Sequence, residues 1–102
     1  MPQPTKVAKV SDIPPGTGKS LEVNGKNVAV FNVGGRFEAI DDTCIHRGGP
    51  LGEGSLDGII VTCPWHHWTY EVTTGKCTTK PGASVAKYPV KVEGDDLVVE
   101  TP

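Results

Sequence analysis

Residues 13–31 read IPPGTGKSLEVNGKNVAVF, and the way this stretch folds separates two classes of protein. Gly18, Lys19 and Ser20 match the end of the phosphate-binding loop of nucleotide-hydrolysing α/β proteins. That loop also needs a glycine five residues before Gly18, where this chain has Ile13. It further needs a helix after Ser20, because the free N–H groups of a helix N-terminus hold the phosphate. The segment after Ser20 does not read as helical. Apolar and polar residues alternate up to Asn24-Gly25, and a second apolar run comes after it. Asn-Gly between two such runs specifies a hairpin with a type I′ turn, because both central residues must take positive φ. Leu21–Val23 and Lys26–Val33 are therefore predicted strands. Residues 13–20 become a Pro/Gly surface turn feeding the first of them, and ATP is not an expected ligand.

The same grammar covers the rest of the chain. Val7–Val10, Arg36–Ile40, Ser84–Tyr88, Val90–Glu93 and Leu97–Glu100 read as strands, with Gly34-Gly35 and Glu93-Gly94-Asp95-Asp96 as turns. No span shows the i, i+3, i+4, i+7 pattern of a capped helix. Shorter strands, Gly58–Thr62 and Trp68–Val72, lie in the middle, with a turn after them at Thr74-Gly75. The fold class is all-β: a small antiparallel sandwich formed by residues 1–40 and 76–102, with an inserted subdomain at about 41–75, in one 102-residue domain.

Composition narrows the function. There are 10 Lys+Arg against 12 Asp+Glu, with no basic run, which argues against nucleic acid as a partner. The start, MPQPTKVAKV, lacks the apolar core of an export signal, and no stretch approaches a membrane span. A cytoplasmic protein is expected, with no membrane partner. Only 36% of residues are hydrophobic, while Gly (13) and Pro (9) are abundant. That balance suits a turn-rich β protein or one partly held by a cofactor. Three cysteines, an odd number in a reducing compartment, point to a metal rather than to disulfides.

Two segments concentrate the chemistry: CIHRGGPL at 44–51 and CPWHHWTY at 63–70. They provide Cys44-x-His46 and Cys63-x-x-His66, one thiolate and one imidazole each, sixteen residues apart. Glycines and prolines around them favour stiff turns. A zinc site remains an alternative, but its usual form pairs Cys with Cys and His with His on a helix. A two-iron cluster explains the mixing better, with two cysteines on one iron and two histidines on the other. A Cys–His nucleophile, such as Cys63 with His67, would not need a second matched pair. Cys77 has no partner in the pattern and reads as a core or strand residue.

With its neighbours AIDDTCIHRGGPLGEG and YEVTTGKCTTKPG, this pattern resembles the Rieske ferredoxins that serve bacterial aromatic-ring dioxygenases, over nearly the whole chain. The resemblance implies the Rieske fold and one [2Fe-2S] cluster. Cys44 and Cys63 would hold the inner iron, and His46 and His66 the outer iron through Nδ1. It implies a soluble, monomeric one-electron carrier that turns over no substrate of its own. Its transient partners would be a flavin-dependent reductase and a terminal oxygenase. The alternative is a small Rieske subunit of a nitrite-reductase-type complex. Gly49 and Trp65 stand where the respiratory relatives have a disulfide, and Trp68 where they have a serine. The implied potential is therefore at the low end of the Rieske range, roughly −150 to +300 mV. Gly48, Pro50 and Leu51, with Trp65 or His67, would form the docking face, and Trp65 would pack under or beside the cluster. His67 replaces the family's glycine, which strains the local backbone. Tyr70 could reach a ligand sulfur, that of Cys44, or be an ordinary buried aromatic.

Overall fold

A computed structural model describes residues 3–43, 50–65, 67–80 and 82–101. Its strands are β1 (Gln3–Lys9), β2 (Gly18–Val23), β3 (Lys26–Val33), β4 (Arg36–Asp41), β5 (Ser55–Asp57), β6 (Ile60–Thr62), β7 (Thr69–Glu71), β8 (Lys87–Tyr88), β9 (Val90–Glu93) and β10 (Asp96–Thr101). Three antiparallel sheets result, in the orders β1-β10-β9, β2-β3-β4-β8 and β5-β6-β7. The only helical elements among the described residues are single 3-10 turns at Val10–Asp12 and Leu51–Glu53.

Strand β3 shows how the layers stack. Val28 and Val30 point into one apolar cluster, Ala29 and Phe31 into another. All four are fully buried. A strand covered on both faces reads as a continuous apolar run rather than an alternating one, which is why VAVF carries no polar residue. β4 repeats the pattern, with Ala39 on one side and Ile40 on the other. The four-stranded sheet is thus the middle layer. Ile13, Val23, Tyr88, Leu97 and Val99 fill the side facing β10. Leu51, Val61, Cys63, Tyr70, Val72 and Cys77 fill the other. Each fully buried aliphatic or aromatic side chain contributes about 1.5–3 kcal/mol.

The 13–31 stretch folds as two strands with no helix. Asn24 (φ 51°) and Gly25 (φ 82°) form the type I′ turn, closing on the Val23–Lys26 pair. Upstream, the Thr17 N–H donates to the Pro14 carbonyl at 3.2 Å. Pro15 and a positive-φ Gly16 occupy the two central positions, a type II turn. Gly18 lies against the Phe31 ring, which leaves no room for a Cβ. The glycines of the phosphate-loop look-alike therefore serve a turn and a packing contact.

Apart from β1, which runs Gln3–Lys9 rather than Val7–Val10, and β2, which starts at Gly18 so that Gly18–Ser20 are strand rather than turn, two elements differ from the sequence reading. The strand predicted over Ser84–Tyr88 reduces to β8. Upstream of it the backbone bonds elsewhere: the Val85 N–H donates to the Gly75 carbonyl and the Cys77 N–H to the Ala83 carbonyl. Strand β5 has no counterpart in that reading, because its one apolar residue, Leu56, shows no alternation. Among the described residues no helix is long and apolar enough to cross a membrane.

Candidate metal centre

Both chemistry-bearing segments sit in loops closed at their base by antiparallel pairing. The first is pinched by the Thr43–Pro50 bridge and by the Leu51 N–H donating to the Asp42 carbonyl at 2.7 Å. The second joins β6 to β7. It is pinched by the Thr62–Thr69 pair and by the Cys63 N–H donating to the Trp68 carbonyl at 2.7 Å. The two bases share one apolar cluster, in which Leu51, Val61, Cys63 and Tyr70 are fully buried. A thiol enclosed this way is shielded from water and suits a ligand to a group held between the loops. The donors that the sequence places in these two segments, two thiolates and two imidazoles, suit a two-iron cluster, and Cys63 is the one whose burial the structure describes.

Cys44, His46, Gly48, Gly49 and His66 lie outside the described residues. Of the others, Pro50 is partly exposed and Leu51 is not exposed at all. Leu51 therefore does not belong to a docking face; it begins the 3-10 turn and anchors the loop in the core. Trp65 is 50% exposed. Trp68 is the tryptophan that packs on the core cluster. His67 is exposed and has φ 60°, the left-handed conformation for which its replaced glycine was the warning. Tyr70 is wholly buried and pairs with Val61. Cys77 is a buried strand-edge residue bridged to Tyr70, and its Sγ accepts the Lys80 N–H at 3.4 Å.

Sequence reasoning missed Asp42, Ser20 and Gly52. The buried Asp42 Oδ1 accepts the Gly52 N–H at 2.7 Å and the Ser20 hydroxyl at 2.8 Å. Its own N–H donates to the Asn27 carbonyl at 3.0 Å. Gly52 comes so close to β2 that a Cβ would stand 2.5 Å from the Ser20 nitrogen. Residues 16–20 thus face residues 52–56 across an open cleft of about 600 Å³, directly after the first loop. The PGTGKS segment, read from the sequence as a surface turn, instead contacts Asp42 and Gly52, the residues that flank the first segment. The only available signal was an acidic residue two positions before Cys44 in DDTC.

Comparison with known proteins identifies the family. The chain is 39% identical over 98 residues to the biphenyl dioxygenase ferredoxin subunit of Pseudomonas sp. (strain KKS102), covering 94% of this chain and 90% of that one. Among solved structures, the ferredoxin of carbazole 1,9a-dioxygenase from Nocardioides aromaticivorans IC177 superposes with a TM-score of 0.88 at 30% identity, covering 95% and 96% of the two chains. A complex of reduced oxygenase and oxidized ferredoxin in carbazole 1,9a-dioxygenase matches with a TM-score of 0.86 at 35% identity, covering 94% and 91%. Residues 3–89 match the Rieske [2Fe-2S] domain. The chain belongs to the Rieske [2Fe-2S] domain family and carries one [2Fe-2S] cluster.

Proposed function

We propose that this protein is a cytoplasmic, monomeric one-electron carrier. It receives an electron from a flavin-dependent reductase and delivers it to a terminal aromatic-ring oxygenase. The carrying observation is the pair of pinched loops on one apolar base, with Cys63 fully buried in the same cluster as Leu51 and Tyr70. In this reading residues 41–75 are the cluster-binding subdomain. Cys44 and Cys63 hold one iron, and His46 and His66 the other. When bound, the cluster takes up and releases a single electron at low potential, and the protein makes or breaks no substrate bond. The chain's own residues hold, shield and present it. Tyr70 shares the buried cluster that encloses Cys63, and Trp68 packs against that cluster. Pro50, the half-exposed Trp65 and the exposed His67 lie at or beside the two loops, and with Gly48 they form a small docking face suited to a transient encounter.

The test is spectroscopic first and kinetic second. The purified protein should be red-brown and should give a rhombic low-g EPR signal when reduced. With NADH, a flavin reductase and an aromatic-ring dioxygenase, it should support product formation that stops when the protein is left out. A colourless, zinc-containing protein would overturn the cluster assignment. A coloured protein that elutes only in complex with a nitrite-reductase-type subunit would favour a permanent subunit over a carrier.

A further inference from the structure

We propose that Ser20 and Asp42 form a positioning clasp through which strand β2 holds the first ligand loop closed, setting how firmly the cluster is retained. The proposal rests on the assignment of Cys44 and His46 as ligands. Asp42 stands at the point where the chain enters that loop, and Leu51 and Gly52 where it leaves. The Asp42 carbonyl accepts the Leu51 N–H, and its carboxylate accepts the Gly52 N–H. One residue thus ties both ends of the loop together. The same carboxylate oxygen accepts the Ser20 hydroxyl, from a residue 22 positions earlier in the chain. That bond fixes the knot to the middle sheet, because Ser20 is paired with Ala29 on the central strand. Gly52 permits the contact, since any side chain there would strike the Lys19–Ser20 backbone.

Asp42 also stands two residues before Cys44 in the chain, so their Cα atoms are no more than about 7 Å apart and its carboxylate is a near neighbour of that ligand. A negative charge at that distance disfavours the added electron of the reduced state. Asp42 is thus a positioning residue with an electrostatic signature that a purely structural residue lacks.

The experiment compares Ser20→Ala, Asp42→Asn, Asp42→Ala, the Ser20→Ala/Asp42→Ala double variant and a Thr17→Ala control in the intact protein. Thr17 lies in the same segment, but its hydroxyl bonds the Pro14 carbonyl instead. Two quantities are read: the rate at which visible absorbance is lost under an iron chelator, and the midpoint potential. Ser20→Ala should speed the loss about fivefold, as for one hydrogen bond, and Thr17→Ala should not. Asp42→Ala should speed it more, and the double variant no more than Asp42→Ala alone, because the two residues act as one unit. Asp42→Asn keeps an acceptor oxygen. It should retain the cluster close to the wild-type rate while its midpoint potential rises.

If Ser20→Ala releases the cluster at the wild-type rate, or Thr17→Ala matches Ser20→Ala, the clasp is refuted. Additive single effects, or an unmoved potential in Asp42→Asn, refute it as well. Should Asp42→Ala fail to fold, Ser20→Ala and Asp42→Asn still decide. A wild-type protein without a cluster overturns the ligand assignment itself, whereas a loaded wild type with indifferent variants overturns only the clasp.

Discussion

His67 occupies a conformation that side chains other than glycine enter at a cost, and it does so one residue after a proposed ligand. Its exposure means that no burial offsets that cost. His67→Gly should stabilise the protein by on the order of 0.5–1 kcal/mol, while His67→Ala, which keeps a Cβ, should not. Thermal melts of the three proteins check this; equal shifts for Gly and Ala would show that the backbone is not the cause. Tyr88 carries a second residue-scale consequence. Burial, and then the nearby Asp41 charge, hold its phenol above the ordinary tyrosine value of about 10. The unfolded chain therefore loses this proton first as pH rises. Tyr88's contribution to stability is intact below about pH 10 and is lost as pH climbs through the raised folded value. Unfolding measured from pH 8 to 11.5 should show a steeper alkaline loss for wild type than for Tyr88→Phe, and parallel curves would sink the argument.

At the scale of elements, turn chemistry was the most legible part. Asn24-Gly25 and Gly34-Gly35 announce their hairpins, and β3 runs from Lys26 to Val33 as the apolar run predicts. β8 was not legible at its true length, because hydrogen bonds with Gly75 and Cys77, across a short loop, claim the backbone before it. The contact between β2 and the Leu51–Glu53 turn was equally hidden. A glycine at 52 looks like one more turn residue until Ser20 is seen against it. Gly52→Ala should therefore cost about 1–3 kcal/mol, since the Lys19–Ser20 backbone it would strike belongs to a paired strand and cannot easily yield. A denaturant titration reads the loss, and an unchanged midpoint would mean that β2 and this turn separate easily.

For the whole molecule, the two apolar clusters lie on opposite faces of one sheet, and only one of them contains Cys63. A group bound between the loops stabilises the folded state and not the unfolded one. Removing iron with a chelator under reducing conditions should lower Tm by at least ~10 °C while the far-UV β signature survives. An unchanged Tm would mean that the loops need no ligand to stay closed. The spacing of Cys44, His46, Cys63 and His66, the turn residues and the family they indicate are written locally, within segments of a few residues. The sequence by itself was enough for these, because ligand spacing and turn conformation depend on near neighbours. Only the tertiary structure decided that Leu51 is core rather than docking surface, that Trp68 rather than Trp65 packs inward, and that Ser20 braces the first loop. Each of these depends on which distant segments the middle sheet brings together, and no local pattern encodes that.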